Sequence, residues 1–331
     1  MILKSRAFSL ALLLAIAVMA PGVLKAQDAQ PMSETPLGSA AGVGAKTGGT
    51  SLVGGDLTGA TAATAGPEAA AFDGTYIWVA SQFSDSVTRI RVSDGLIAGT
   101  FTVGKRPVAV LAAAGSIWVA NLLSDNVSKL NPTTGAVAAT YAAGDGPGGL
   151  AFDGTNLWIA NREGNNVTKM STAGATLGTF AVGNRPMGVA VVEGAVFVVN
   201  NFSNSVTKLS LAGAILGKYA VGRGPFGVAG QGENVWVTNY FDKTVTKLRA
   251  SDGLNLGTFK VGDGASGVTF DGTFMWVVGN GDNNVMKLTP ATGSVVSTYA
   301  TGKGPFAVVY DGAKIWVPNF ASNSISSTAA N

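Results

Sequence analysis

The stretch Ile117-Trp118-Val119-Ala120-Asn121 is one of seven versions of the same five-residue phrase. Ile77-Trp78-Val79-Ala80-Ser81 precedes it, and Leu157-Trp158-Ile159-Ala160-Asn161 and Val196-Phe197-Val198-Val199-Asn200 follow. Val235-Trp236-Val237-Thr238-Asn239, Met275-Trp276-Val277-Val278-Gly279 and Ile315-Trp316-Val317-Pro318-Asn319 complete the series. All 6 tryptophans of the chain stand at its second place, where the fourth copy carries Phe197. Successive copies lie 40, 40, 39, 39, 40 and 40 residues apart. A fixed period of this size marks a repeat architecture, in which each unit buries its apolar faces against its neighbours.

One unit, taken from Pro107, divides into four short runs. Strand a is Pro107-Val108-Ala109-Val110-Leu111, and strand b carries Ile117-Trp118-Val119-Ala120. Strand c is Val127-Ser128-Lys129-Leu130, and strand d is Thr140-Tyr141-Ala142-Ala143. Turn signals part them: Asp73-Gly74, Asp153-Gly154, Asp271-Gly272 and Asp311-Gly312 between a and b, Thr134-Gly135 between c and d. Short β-branched and aromatic runs with such turns between them form hairpin-linked antiparallel strands. Strand b is apolar at consecutive positions, as a strand buried on both faces must be. Four-stranded sheets stacked face to face around an axis meet that demand, so the sequence predicts an all-β, seven-bladed β-propeller.

Two further patterns agree. Two residues after each proline, or after Ala265 in its place, stand Ala69, Ala109, Gly149, Gly188, Gly227, Gly267 and Ala307. Innermost strands converge on the axis, where crowding admits only small side chains or leaves room for a ligand, and packing is the expected cause. The seventh unit has no strand d, but residues 59–67 align without gaps on residues 99–107. An N-terminal strand is therefore expected to complete the last blade and close the ring, although Thr61 replaces the aromatic found in the other copies. The expected organisation is a signal peptide at 1–26, a low-complexity linker at 27–56 and the propeller at 57–328.

The signal expectation rests on Lys4 and Arg6 followed by the apolar run from Ala7 to Ala20, which is too short to span a bilayer comfortably. It implies a secreted or periplasmic protein. The printed charge of +3 belongs to that segment: Lys4, Arg6 and Lys25 are the only charges in residues 1–26, which leaves 19 cations against 19 anions. Nothing in that balance favours nucleic acid or a membrane surface as partner. No membrane span is expected in the mature chain, which reads as a monomer. There are 0 cysteines and 0 histidines, which removes disulfides, thiolate chemistry and imidazole together. A chain near 300 residues buries roughly 75% of its unfolded surface and can do without disulfides.

Strand direction sorts the connections into two faces. The a–b and c–d turns share one, and they vary little. The d–a and b–c loops share the other, where recognition chemistry collects. Lys105, Arg106, Arg185, Arg223 and Lys303 lie in d–a loops; Phe83, Arg162, Phe202, Tyr240, Phe241 and Phe320 lie in b–c loops. Directly after the proline position, just inside the channel mouth, come Glu68, Val108, Met187, Phe226 and Phe306. Aromatic residues beside arginines are the composition of binding surfaces. The predicted ligand-binding set is Glu68, Met187, Phe226, Phe306, Arg106, Arg162, Arg185, Arg223, Tyr240 and Phe241, with no catalytic residue, no metal and no cofactor expected.

Other motifs have plainer explanations. The GxGxxG matches at 144–149, 222–227 and 262–267 run from strand d into strand a, without the following helix that a dinucleotide site needs. The sequons at Asn126, Asn166 and Asn201 belong largely to the repeat's own wording. Asp73, Asp153, Asp271 and Asp311 occupy four of seven blades and read as turn residues rather than a ring of metal ligands. The recurring cation of strand c (Arg89, Lys129, Lys169, Lys208, Lys247, Lys287) is expected to cover a blade edge with its charged head in water. The only carboxylate constellation near the mouth is Glu68 with Asp145 and Asp263, which would suit Mg or Ca rather than Zn.

Trp236-Val237-Thr238-Asn239, Val245-Thr246 and Thr258-Phe259-Lys260-Val261-Gly262 resemble the YVTN-type β-propeller repeat, and the chain is similar to streptogramin-lyase-like propellers over about residues 59–327. The first resemblance implies a secreted or cell-surface propeller with a binding role. The second implies a metal-dependent lyase or lactone hydrolase, but such lyases depend on a histidine, and none is present to take that role. The leading expectation is a non-catalytic module that binds an envelope or extracellular ligand or protein through the d–a/b–c face. A surface scaffold or adhesion protein is the third possibility.

Overall fold

The computed structural model describes residues 61–330, so the expectations for residues 1–56 lie outside the described part. Those residues form seven four-stranded antiparallel sheets, six of them ordered a-b-c-d as the chain runs. In blade 2 the strands are Pro107–Ala113, Ser116–Asn121, Asn126–Leu130 and Val137–Ala142. The seventh blade joins Val309–Tyr310, Lys314–Asn319 and Ser324–Ala329 to the N-terminal Thr61–Ala62 as its strand d. Thr61 pairs with Ile325 and Ala62 with Ser324, the places taken by Phe101 opposite Val87 and Thr102 opposite Ser86 in blade 1. The register is the one the gapless alignment requires.

The core is divided among seven interfaces, one between each pair of neighbouring blades. Trp158, for example, leaves its own sheet to pack on Val189, Val196, Val198 and Leu209 of blade 4. Trp316 crosses the closure to Ile77, Val79 and Ile90 of blade 1. All six tryptophans and Phe197 are at most 2% exposed. Between neighbouring blades the innermost strands nearly touch: a Cβ on Gly149 would lie 2.2 Å from the Met187 carbonyl oxygen, and one on Gly227 would lie 2.4 Å from that of Ser266. Axial crowding, rather than room for a ligand, therefore dictates the small residues.

The aspartates of the a–b turn have a second task that the sequence does not announce. Asp153 Oδ1 accepts from the Thr155 and Asn156 amides at 2.9 and 2.7 Å, which closes the turn, while Oδ2 accepts from Trp158 Nε1 at 2.8 Å. Asp73, Asp271 and Asp311 hold Trp78, Trp276 and Trp316 in the same way. Where the aspartate is missing, Trp118 donates to the Ala113 carbonyl at 3.1 Å, and Trp236 Nε1 is buried without a partner among the described residues. Burial alone would raise the Asp153 pKa, but the bonds from Asn156, Trp158 and Thr155, with Lys169 nearby, outweigh it and hold the carboxyl below its usual value. A depressed pKa contributes stability above the unfolded value of about 4, and that contribution is lost as pH falls through the folded value. Asp153→Asn is thus expected to cost about 1 kcal/mol at pH 7, with wild type and variant converging below about pH 4 in urea unfolding. A gap that is constant with pH would show that the charge contributes nothing.

The strand-c cations depart from expectation. Their heads do not rest in water but donate to carbonyls just past strand c of the next blade, which in blades with their own strand d is the c–d turn. Lys129 Nζ reaches Thr172 O at 2.9 Å, Lys169 reaches Leu211 O at 2.7 Å, and Lys208 reaches Ser251 O at 2.7 Å. Arg89 Nη1 lies 2.8 Å from both Pro132 O and Thr133 O, and Lys287 binds Ala330 O at 2.7 Å. Each stem crosses the aromatic ring opposite it on strand b, with Lys129 Nζ 5.0 Å from the Trp118 ring. The cations staple one blade to the next, with the turn carbonyl replacing the water that each head gives up. Blade 7 carries Ser327 there, so the closure has no staple of this kind.

The strand-d aromatics meet the same turns. Phe101 stacks beside Trp78 at 5.7 Å and lies over Gly135 of blade 2, where an added Cβ would come within 2.0 Å of the ring. Gly135 also has φ 76°, so both the turn and the contact require glycine. At the closure Thr61 replaces the ring, and its Oγ1 donates to the Gly95 carbonyl at 3.0 Å.

Candidate functional site

Every blade carries a one-residue bulge in strand a. In blade 1 Pro67 pairs with Ser81 but Ala69 pairs with Ala80, so Glu68 is the extra residue. In blade 2 the extra residue is Val108 and in blade 3 Gly148, and the same one-residue excess recurs in the other blades. A bulge re-aims a side chain. Here it creates a ring of positions around the channel mouth, one per blade: Glu68, Val108, Gly148, Met187, Phe226, Ser266 and Phe306.

The d–a and b–c loops are tied together behind this ring by backbone bonds such as Arg162 N to Gly146 O at 2.8 Å and Tyr240 N to Gly224 O at 3.0 Å. The first residue of each b–c loop stands just outside it: Gln82, Leu122, Arg162, Asn201, Tyr240, Asn280 and Phe320. Asn201 and Asn280 donate across to the Pro225 and Pro305 carbonyls at 3.0 and 2.8 Å, which fixes neighbouring blades at the rim.

The mouth opens on a cavity of about 200 Å³ whose lining includes Glu68, Arg162, Met187, Phe226 and Phe306. Its two sides differ in chemistry. On one, Phe226 and Phe306 lie 6.0 Å apart even though blade 6 stands between them, because Ser266 leaves that space free. Tyr240 flanks Phe226 at 6.3 Å and Phe320 meets Phe306 edge-on at 5.6 Å, while the Tyr240 hydroxyl donates to Asn280 Oδ1 at 3.0 Å. Offset and edge-on pairs of this kind are favourable ring geometries, so the aromatic side is preformed.

On the other side stands an ion pair. Arg162 Nη2 is 3.8 Å from Glu68 Oε1, and the two side chains are 10% and 12% exposed. At 3.8 Å there is attraction but no hydrogen bond. Arg162 enters over Gly148: a Cβ there would lie 2.0 Å from its Nε, so glycine in the bulge makes room for the guanidinium. Nη2 has one long bond to Gly148 O at 3.4 Å, and Nε is buried with no partner among the described residues. Burial raises the Glu68 pKa against the opposing charges of Arg162 and Arg106. Burial also lowers that of Arg162; Glu68 opposes this, and the nearby positive charges of Arg185 and Arg106 add to it. Three arginines thus share one field with Glu68.

Arg106 and Arg185 stand at the rim rather than in the lining. Arg106 Nε donates to Gln82 Oε1 at 2.6 Å, and the Arg185 guanidinium lies 4.8 Å from the centre of the exposed Phe202 ring. Arg223 and Phe241 are not brought to the cavity. The Arg223 side chain is 70% exposed and bonded to Asp242 at 2.6 Å, and Phe241 is 45% exposed. Asp263 is engaged by Lys243 at 2.8 Å, at the exposed rim. Among the described residues no group of three or more His, Cys, Asp or Glu side chains is placed to hold a metal ion. Gln82, Ser266, Asn280 and Phe320 join the site without having been in the predicted set. Phe320 was visible as a loop aromatic, whereas Ser266 matters through what it leaves empty.

No family model matches the chain, and no curated protein matches it. Solved structures do. Streptogramin B lyase superposes with a TM-score of 0.72 at 16% identity, covering 81% of this chain and 96% of that one. Virginiamycin B lyase from Staphylococcus aureus gives 0.72 at 17%, covering 82% and 98%. Kuenenia stuttgartiensis hydrazine synthase gives 0.70 at 18%, covering 80% and 96%. At these identities the likeness is one of fold: this chain is a seven-bladed β-propeller similar in shape to all three.

Proposed function

We propose that the chain is a non-catalytic recognition module, acting outside the cytoplasm, that binds its ligand at the channel mouth on the d–a/b–c face. The observation that carries this is the cavity itself, with preformed aromatic rings on one side and a buried, under-bonded arginine on the other. Concave, mostly apolar sites with a few convergent polar groups are where proteins hold small molecules. On the opposite face several polar groups are engaged in turns and staples. Two of the structural neighbours are named as lyases. That activity enters here only as the alternative the test must separate.

Thermal-shift screening of the full chain against a library of small acids, sugars and aromatics provides the test, with mass spectrometry of each hit after incubation. The expected result is a hit that raises Tm, is recovered chemically unchanged, and loses its effect in an Arg162→Gln, Phe226→Ala double variant. A hit that is converted would establish catalysis instead. Hits indifferent to the double variant would move the site elsewhere.

A further inference from the structure

Arg162 is unusual among the charged residues of this chain in being 9% exposed and yet poorly bonded. Its Nε has no partner among the described residues, its Nη2 has one bond of 3.4 Å, and its carboxylate neighbour stops at 3.8 Å. Other arginines lie close to a carboxylate, as Arg223 does to Asp242 at 2.6 Å. Leaving a buried guanidinium with unspent donors costs free energy. A planar two-oxygen acceptor would satisfy Nε and Nη2 together, which is the fork geometry that arginine offers to carboxylates.

Arg106 and Arg185 add a second observation. They have φ of 55° and 51°, at the d–a position where the other five blades place Gly66, Gly146, Gly224, Gly264 and Gly304 with φ between 63° and 71°. A side chain in the left-handed region is strained relative to glycine. Backbone strain of this kind collects at functional sites. The two exceptions flank the blade that carries Arg162, and both add positive charge to its surroundings.

The remaining lining is apolar. Met187, Phe226 and Phe306 face the ion pair across a cavity of about 200 Å³. That is below the roughly 300–1,000 Å³ of pockets for drug-sized ligands, and suits a molecule with one ring. One forked, buried donor group with no cluster of backbone amides around it favours a singly charged carboxylate over a phosphate.

Resting on the recognition reading above, we propose that the channel mouth binds a small arylalkyl carboxylate, with its carboxylate on Arg162 and its ring against Phe226 and Phe306. Arg106 and Arg185 draw in the anion, and Gly148 keeps the space that Arg162 occupies. Glu68 lines the same cavity and lies 3.8 Å from Arg162 Nη2, without a hydrogen bond that the ligand would have to break.

Calorimetry of the full chain with 3-phenylpropionate, 3-phenylpropanamide and propionate tests this. The acid is expected to bind at least tenfold more tightly than either its amide or the ringless acid. Arg162→Gln should weaken the acid at least tenfold and leave the amide unchanged, whereas Phe226→Ala should weaken both. Arg249→Gln, on the opposite face, should alter neither. If Arg162→Gln does not fold, the Arg106→Gly, Arg185→Gly pair replaces it, with weaker acid binding expected at an unchanged or higher Tm. Equal affinity for acid and amide, no binding of the acid, or full acid binding by these variants would overturn the proposal. A screening hit that needs Phe226 but ignores charge would sink this inference alone, whereas the absence of any mouth-dependent hit would sink the recognition reading as well.

Discussion

Trp158→Ala is expected to lower the unfolding free energy by about 3–5 kcal/mol, roughly a fifth or more of the total for a typical domain. The indole is fully buried, packs on four residues of the next blade and lies tilted against Phe180 at 5.7 Å. Its removal therefore leaves a large hole at the centre of an interface otherwise filled by smaller side chains such as Val167, Val189, Val196 and Val198. Surrounding strands are held by their ladders and cannot collapse into the hole, which is the condition that puts such changes at the upper end. Urea unfolding followed by far-UV circular dichroism measures the loss. A cost below 1 kcal/mol would mean that the blades are not held together by this ring of side chains. A subtler contrast follows from the indole nitrogens. Trp158→Phe strands Asp153 Oδ2, whereas Trp236→Phe removes a donor that has no partner, so the second change should cost less.

Ring closure carries the next largest effect. Deleting residues 27–65 removes Thr61–Ala62 from the seventh blade, together with the Ala63 N to Asn323 O bond of 2.9 Å and the Thr61 bond to Gly95. Strand Ser324–Ala329 would then present an open edge, and of the contacts between blades 7 and 1 the Thr61 bond to Gly95 would be lost while Trp316 still packs on Ile77, Val79 and Ile90. Open edges invite pairing between molecules. A lower Tm, aggregation or both is expected, whereas deletion of residues 27–50 should leave Tm unchanged because it touches no strand of the ring. Equal melting of the two deletions would contradict closure by this strand. The closure is also the interface that lacks both the aromatic of strand d and the cation of strand c. Thr61→Phe should strengthen it, since ring pairs contribute about 0.5–1.5 kcal/mol and Gly95 leaves the same space that Gly135 leaves for Phe101.

The fold was legible because its causes repeat. Seven copies of one phrase average out local ambiguity, and the small residue two places after each proline marked the axis. The register at Thr61 followed from alignment alone, since a one-residue slip would have turned every side chain to the other face. What the sequence concealed were contacts whose geometry depends on side-chain direction or on the placement of the next blade. The strand-c cations look amphipathic in one unit, and only the placement of the next blade shows that a turn carbonyl waits for each head. Asp153 reads as a turn residue, and its bond to Trp158 needs the indole's direction to be known.

The site was half legible for the same reason. Loop position on the varied face was enough to bring Glu68, Arg162, Met187, Phe226 and Phe306 into one set, and these five line the cavity. It was not enough to exclude Arg223 and Phe241, whose loop neighbours hold them outward. Ser266 and Gly148 could not be chosen from sequence, because each acts by being small beside a large neighbour. Blade 6 lets two phenylalanines meet past it, and blade 3 lets an arginine lie where a side chain would have been.

One comparison tests most directly whether recognition belongs to the d–a/b–c face. The strongest hit of the thermal-shift screen is titrated into wild type, into the Arg162→Gln, Phe226→Ala variant of the channel mouth, and into an Arg249→Gln, Asp252→Asn variant of the opposite face. Arg249 and Asp252 form an exposed pair in a c–d turn, so their loss leaves the blades intact. Calorimetry should give at least tenfold weaker binding to the mouth variant and unchanged binding to the turn variant. Unchanged binding to the mouth variant, with loss in the turn variant, would place recognition on the other face of the ring.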